Sequence, residues 1–122
     1  MEKKLGCIDY IINTAGVLIK KPIDMLTNEE VHTLININFI GAVNIAMASK
    51  QYLKKSSGML LNFTSSSYTR GRSYYALYSS SKAAIVNFTQ AIAEEWSSEN
   101  IKVNCINPER TATPMRTINF GI

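Results

Sequence analysis

The stretch from Met59 to Lys82, MLLNFTSSSYTRGRSYYALYSSSK, decides how the chain is read. It opens with a short apolar run, passes through a Ser-rich loop and enters a helical pattern, which is the order strand, loop, helix. Tyr78 and Lys82 are four residues apart, so a helix puts both side chains on one face. Ser65 stands at the end of the apolar run. A hydroxyl, a phenol and an ammonium can therefore converge beyond the end of one strand. Such a set can give a proton to a carbonyl oxygen while hydride arrives at its carbon. In that scheme Ser65 holds the substrate oxygen and Tyr78 delivers the proton. Lys82, kept cationic, favours the ionised phenol and lowers its pKa. The Tyr-x-x-x-Lys spacing is weak by itself: with six Tyr and nine Lys in 122 residues it arises readily by chance. Its plain alternative is an exposed Tyr and Lys on a helix surface. The rest of the chain has to decide.

Downstream, a helix is expected from about Ala76 to Ser97, with Ile85, Phe88, Ile92 and Trp96 on one stripe and Ser80, Ala84 and Ala91 on another side. Ser98-Glu99-Asn100 makes a turn, and Ile101 to Ile106 (IKVNCI) reads as a strand that Pro108 ends. Upstream, Cys7 to Asn13 (CIDYIIN) reads as a buried strand, followed by the small polar turn Asn13-Thr14-Ala15-Gly16. Thr27 and Glu30 have the spacing of a capping box, so a helix should begin there and run to about Lys54, with Gly41 a weak point. Ser56-Ser57-Gly58 breaks it, and Met59 to Thr64 forms the middle strand. Strand, helix, strand, helix, strand implies an α/β fold with a parallel sheet and right-handed crossovers. The near-continuous apolar strands suit burial on both faces. Ligands bind such sheets beyond the carboxyl ends of the strands. The special-looking loops, Asn13 to Gly16, Ser65 onward and Asn107 to Thr113, all lie at that end.

Composition excludes several classes. The chain is 46% hydrophobic and 18% charged, with net charge +4. Its Lys clusters (Lys3-Lys4, Lys20-Lys21, Lys54-Lys55) are short and lack interleaved aromatics, so no nucleic-acid surface is expected. No run of consecutive apolar residues approaches the ~18 needed for a membrane span, and no signal peptide is expected. Cys7 and Cys105 read as buried free thiols in a reducing cytoplasm. His32 is the single His, far in sequence from Ser65, so a Ser-His-Asp triad has no support, and one His with two separated Cys makes no zinc site.

Four motifs, in order from Ile8 to Met115, resemble the short-chain dehydrogenase/reductase family. Asn13-Thr14-Ala15-Gly16 resembles its Asn-Asn-Ala-Gly turn. Asn38, in Asn36-Ile37-Asn38-Phe39-Ile40-Gly41, resembles its mid-helix tetrad Asn. Ser65 and Tyr78-Ser79-Ser80-Ser81-Lys82 match its catalytic spacing, and Asn107-Pro108 through Thr113 and Met115 resembles the loop that closes over nicotinamide. The resemblance implies a partial three-layer Rossmann-like domain over residues 1–122, with helices on both faces and strands equivalent to the family's fourth to sixth. It implies NAD or NADP as cofactor and a small carbonyl or alcohol substrate. It also implies catalytic Asn38, Ser65, Tyr78 and Lys82, with Lys82 lowering the phenol pKa and Asn38 holding a water. Cofactor contacts are implied at Asn13, Ala15, Gly16, Tyr78, Lys82, Pro108 and Thr113. Asn13 also suits a simple strand-end cap, Asn38 a polar helix position and Thr113 a plain loop.

The chain departs from the pattern in two places. Pro108-Glu109-Arg110 stands where Pro-Gly is usual, and Asn107 to Thr111 is similar to the reductase module fused to sugar-phosphate cytidylyltransferases, which brings a sugar phosphate among the candidate substrates. The Gly-rich pyrophosphate turn that opens the family fold is absent. The expectation is therefore the carboxyl-side part of an oxidoreductase domain, lacking the dinucleotide-binding half and the last strand. The alternative is an inactive fragment that folds or functions only with another chain. The apolar residues on more than one side of both helices imply a homo-oligomer for the complete protein.

Overall fold

Each apolar run becomes a strand, and the three pair side by side in chain order. The computed structural model describes residues 6–108. Strands β1 (Tyr10–Asn13), β2 (Met59–Phe63) and β3 (Lys102–Ile106) form a parallel sheet of order β1-β2-β3. Register is set by Tyr10 beside Met59 and Met59 beside Lys102. Parallel neighbours need long crossovers, and helices supply them. The first crossover is one continuous helix in three parts: α1 (Asn28–Ile35), a π-helical turn (Asn36–Ile40) and α2 (Gly41–Ser56). The second is α3 (Ala76–Trp96).

The expected capping box is formed. Thr27 accepts from the Glu30 amide at 3.1 Å, and the Glu30 carboxylate accepts from the Thr27 amide at 3.1 Å. At the other end Ser57 adopts left-handed geometry, and the Gly58 amide bonds Leu53 at 2.9 Å, closing the helix. A Cβ on Gly58 would sit 2.3 Å from the Asp9 carbonyl oxygen, so only glycine lets the chain enter β2 so close to the start of β1.

Two right-handed crossovers stepping in the same direction put both long helices on one face of the sheet. The core lies there: Ala46 and Leu53 from α2, Leu60 from β2, Ile92 and Trp96 from α3, and Ile101 and Val103. Phe39 and Phe88 meet edge to face, with ring centroids 6.0 Å apart. Burying a side chain such as Leu60 contributes ~1.5–3 kcal/mol. The other face carries Tyr10, Ile12 and Ile106, which are exposed. Burial on both faces was expected from the strands; among the described residues the helices cover one, and a second helical layer is not formed by them.

Several details differ from expectation. β1 begins at Tyr10, not Cys7, and Cys7 is exposed, its thiol turned to the Asp9 carboxylate ahead of the ladder. Cys105 is half-buried. The helix Asn28–Ser56 is also long and apolar enough, by length and composition, to cross a membrane, with mean hydropathy 1.4 over its best window. Asn36, Asn38 and Asn44 interrupt the run when residues are read singly, but not when they are averaged. In the fold this helix lays one side on the sheet, which is the ordinary use of such a segment in a packed domain. Finally, Gly41 does not weaken the helix by a break: the irregularity is the π turn just before it, in which the Gly41 amide bonds the Asn36 carbonyl.

Candidate active site

The polar loops meet at the carboxyl end of the sheet. β2 ends at Phe63, and Thr64 then fastens this corner: its amide donates to the Ile106 carbonyl at 2.8 Å and its hydroxyl to the Lys82 carbonyl at 3.0 Å. That second bond docks the first turns of α3 against the strand end. Ser65 follows immediately, close enough to the Tyr78 phenol to pull its pKa down. Lys82, one turn along, is buried and sends its Nζ to the Phe63 carbonyl at 3.1 Å. The same Nζ lies 5.9 Å from the centroid of the Tyr78 ring. Hydroxyl, phenol and ammonium thus converge as the spacing predicts.

Asn13 is buried at the end of β1. Its Oδ1 accepts from the Ala15 amide at 3.1 Å, which bends the chain into the turn, and its Nδ2 donates to Asn62 Oδ1 at 3.4 Å. Its local work is therefore the strand-end cap. Ala15 is exposed and Gly16 half-buried. A Cβ on Gly16 would lie 3.4 Å from Lys82 Nζ and 3.6 Å from Asn38 Oδ1, so a long side chain there would fill the space beside the ammonium. Asn38 is buried in the π turn, with its amide turned to this loop. Pro108 is exposed two residues beyond β3, on the same rim. Thr113 and Met115 lie outside the described residues.

The electrostatics differ from the sequence reading. Burial raises the Tyr78 phenol above its ordinary pKa, and the Ser65 hydrogen bond offsets this only in part. Burial also holds Lys82 below the usual lysine value. The downward pull on Tyr78 comes from Ser65; the Lys82 ammonium, expected to supply it, is directed at the Phe63 carbonyl. The phenol consequently keeps its proton at neutral pH, which suits a proton donor.

The buried polar partners were not anticipated. Asn62 Nδ2 donates to Thr89 Oγ1 at 3.1 Å, linking β2 to α3. Val17 and Ser81 both bond Asn38. An Asn inside the apolar run of β2 was the one available signal. Two loops also join above the site: the Lys21 amide donates to the carbonyl of Tyr74, a residue in left-handed geometry just before α3, and Lys20 Nζ lies 5.9 Å over the Tyr75 ring.

A family model described as short chain dehydrogenase matches residues 1–120. The chain is 58% identical over 115 residues to the bifunctional ribulose 5-phosphate reductase/CDP-ribitol pyrophosphorylase Bcs1 of Haemophilus influenzae, covering 94% of this chain and 24% of that protein. It is 34% identical over 117 residues to the 2,3-dihydro-2,3-dihydroxybenzoate dehydrogenase of Bacillus subtilis, covering 95% of this chain and 45% of that one. Among solved structures, a gluconate 5-dehydrogenase from Burkholderia cenocepacia in complex with NADP and tartrate superposes with TM-score 0.90 at 25% identity, over 96% of this chain and 46% of that one. The chain spans less than half the length of each of these relatives.

Proposed function

This chain belongs to the short-chain dehydrogenase family, and on that premise we propose that it is the carboxyl-side, catalytic part of an NAD(P)-dependent oxidoreductase interconverting a carbonyl and an alcohol. The observation that carries the reading is the convergence at the end of β2, where Thr64 and the Lys82 ammonium dock the first turns of α3 on the strand and Lys82 Nζ stands 5.9 Å from the centroid of the Tyr78 ring, with Ser65 acting on the same phenol. Ser65 orients the substrate oxygen. Tyr78, a phenol that carries its proton at neutral pH, gives it to that oxygen in reduction and takes one back in oxidation. Lys82 in its ammonium form stabilises the phenolate left behind.

The residues present fit the nicotinamide end of a cofactor. The Gly16 turn comes up against Lys82, a Cβ there standing 3.4 Å from its Nζ, so turn and ammonium lie side by side where a ribose would be held. Asn13, Ala15, Gly16, Tyr78, Lys82, Pro108 and Thr113 would hold that end, and the bound nicotinamide would supply or accept the hydride. No Gly-rich pyrophosphate turn occurs in the sequence, so the chain's own residues fit the cofactor only in part.

A sugar phosphate is our preferred substrate. The 58% identity to a protein named for ribulose 5-phosphate reduction supports it. So does charge: Lys20, Arg70 and Arg72 are exposed on the two loops joined above the site. We place the protein in the cytoplasm, in keeping with its two free thiols. Exposed Ile37, Ile40 and Met47 on the outer side of the first helix support a homo-oligomer. A second reading, an inactive fragment that works by association, is favoured by the exposed Tyr10 and Ile12 on the open sheet face. To test the first, join residues 1–122 to a Gly-rich dinucleotide-binding half and follow NADPH and NADH absorbance with ribulose 5-phosphate. Substrate-dependent oxidation of either cofactor is expected. None with any small ketose or ketose phosphate would favour the second reading.

A further inference from the structure

Ser81 takes no part in the scheme above, yet it is 2% exposed and holds two hydrogen bonds, one of them to Asn38 of the π turn, which in turn bonds the Val17 loop. Resting on the oxidoreductase reading, we propose that Ser81 is a positioning residue: with Asn38 it locks the Gly16-Val17 turn to the helical turn that carries Tyr78 and Lys82.

The lock can be followed atom by atom. The Val17 amide donates to Asn38 Oδ1 at 2.8 Å, and Asn38 Nδ2 donates back to the Val17 carbonyl at 2.9 Å. A side-chain amide here pairs with main chain as a neighbouring strand would. The remaining Nδ2 proton goes to Ser81 Oγ at 3.2 Å, and the Ser81 hydroxyl donates to the Tyr78 carbonyl at 2.8 Å. Both Asn38 amide protons are thereby used on protein partners 21 and 43 residues away. A helix Ser bonding back three residues is a common local habit and would mean little alone. The incoming bond from Asn38 is what makes this one a junction. Because the hydroxyl proton is committed to Tyr78, a lone pair is left facing Asn38.

The π turn is part of the same device. It carries Asn38 to 2% exposure, while Ile37 and Ile40 on either side stay out. Such turns concentrate at functional sites. Gly41 accommodates it, since a Cβ there would stand 3.3 Å from the Asn36 carbonyl oxygen. With Ser81→Ala, the second Nδ2 proton of Asn38 loses its partner in a buried place, so Asn38 must shift or stay unsatisfied. We expect the shift, which loosens Val17 and with it Gly16, packed against Lys82 Nζ.

The test uses the completed protein described above, with Ser81→Ala and Ser81→Thr, the second retaining the hydroxyl. Two quantities are read: exchange protection of the Val17 amide, with the Leu60 amide as reference, and the split between kcat and substrate KM. For Ser81→Ala we expect Val17 protection to fall about tenfold with Leu60 unchanged, and kcat to fall about tenfold at nearly constant KM, because geometry and not binding is lost. Ser81→Thr should recover most of both. Val17 protection and kcat within about twofold of the parent in Ser81→Ala would overturn the proposal. Lost protection with unchanged kcat would make Ser81 a structural residue only, and would overturn it too. A parent protein without turnover would instead sink the oxidoreductase reading, and Val17 exchange would still decide whether the lock exists.

Discussion

The two ends of α3 are built on opposite chemistry. Its carboxyl end gives Ile92 and Trp96 to an apolar cluster with Leu53, Leu60 and Val103. Its amino end buries Ser81 and Lys82 among main-chain carbonyls and a side-chain amide. The same division runs through β2, where Leu60 and Asn62 are both fully buried on one face, two residues apart. One faces the cluster; the other bridges Asn13 and Thr89. Apolar packing is non-directional and tolerates substitution of similar volume, so it can hold the elements together without fixing their angular register. A buried hydrogen-bond network has the reverse character: it contributes little net stability but admits few geometries. The division thus assigns stability to one end of the helix and precision to the end that carries Tyr78.

If that division is right, Leu60→Ala should have the largest effect on stability, a loss of ~2–5 kcal/mol in chemical denaturation, because it opens a cavity in the cluster. A loss under ~1 kcal/mol would mean that the cluster collapses freely and is not the stabilising half. Asn62→Ala should cost less, ~1–3 kcal/mol, the penalty of leaving Asn13 and Thr89 without their partner. It should also disturb the Asn13-Ala15 turn, which the Ala15 amide shift in an NMR spectrum would report; an unmoved Ala15 would separate the network from the site. Thr27→Ala lies outside both regions and should cost about 1 kcal/mol, the worth of an N-cap, with no change at either end. The smallest effect concerns pH. Burial lowers the folded pKa of Lys82, so between that value and the unfolded one the unfolded chain binds the extra proton. Stability of the parent relative to Lys82→Met should therefore rise with pH up to the unfolded value and level off above it. Urea midpoints that diverge in the opposite sense would show that Lys82 is stabilised as a cation.

The apolar end was the more legible in the sequence. Ile85, Ile92 and Trp96 repeat at helical spacing and all are buried; Phe88, on the same stripe, is half-buried. Thr27 and Glu30 announce their own capping box. The meeting of Tyr78 and Lys82 at the end of β2 was legible too, since strand end and helix start fix where they stand. What stayed hidden depends on distant partners. No local pattern tells Asn38 that it will bond Val17 and Ser81, or turns the helix into a π turn at that point. The direction of the Tyr78 shift was misread for a related reason: charge proximity is visible in a spacing, whereas desolvation depends on everything packed around the ring. Cys7 was taken as buried from its apolar neighbours, although the ladder starts three residues later.

The claim that the polar end is a proton-transfer site is tested most directly by Tyr78→Phe in the chain completed with a dinucleotide-binding half. The ring, its packing and the Lys82 contact remain, and only the proton donor is removed. The account predicts cofactor binding within a few-fold of the parent and turnover lower by ~10²–10⁴, the usual worth of general acid–base catalysis. Turnover in Tyr78→Phe close to that of the parent would contradict it.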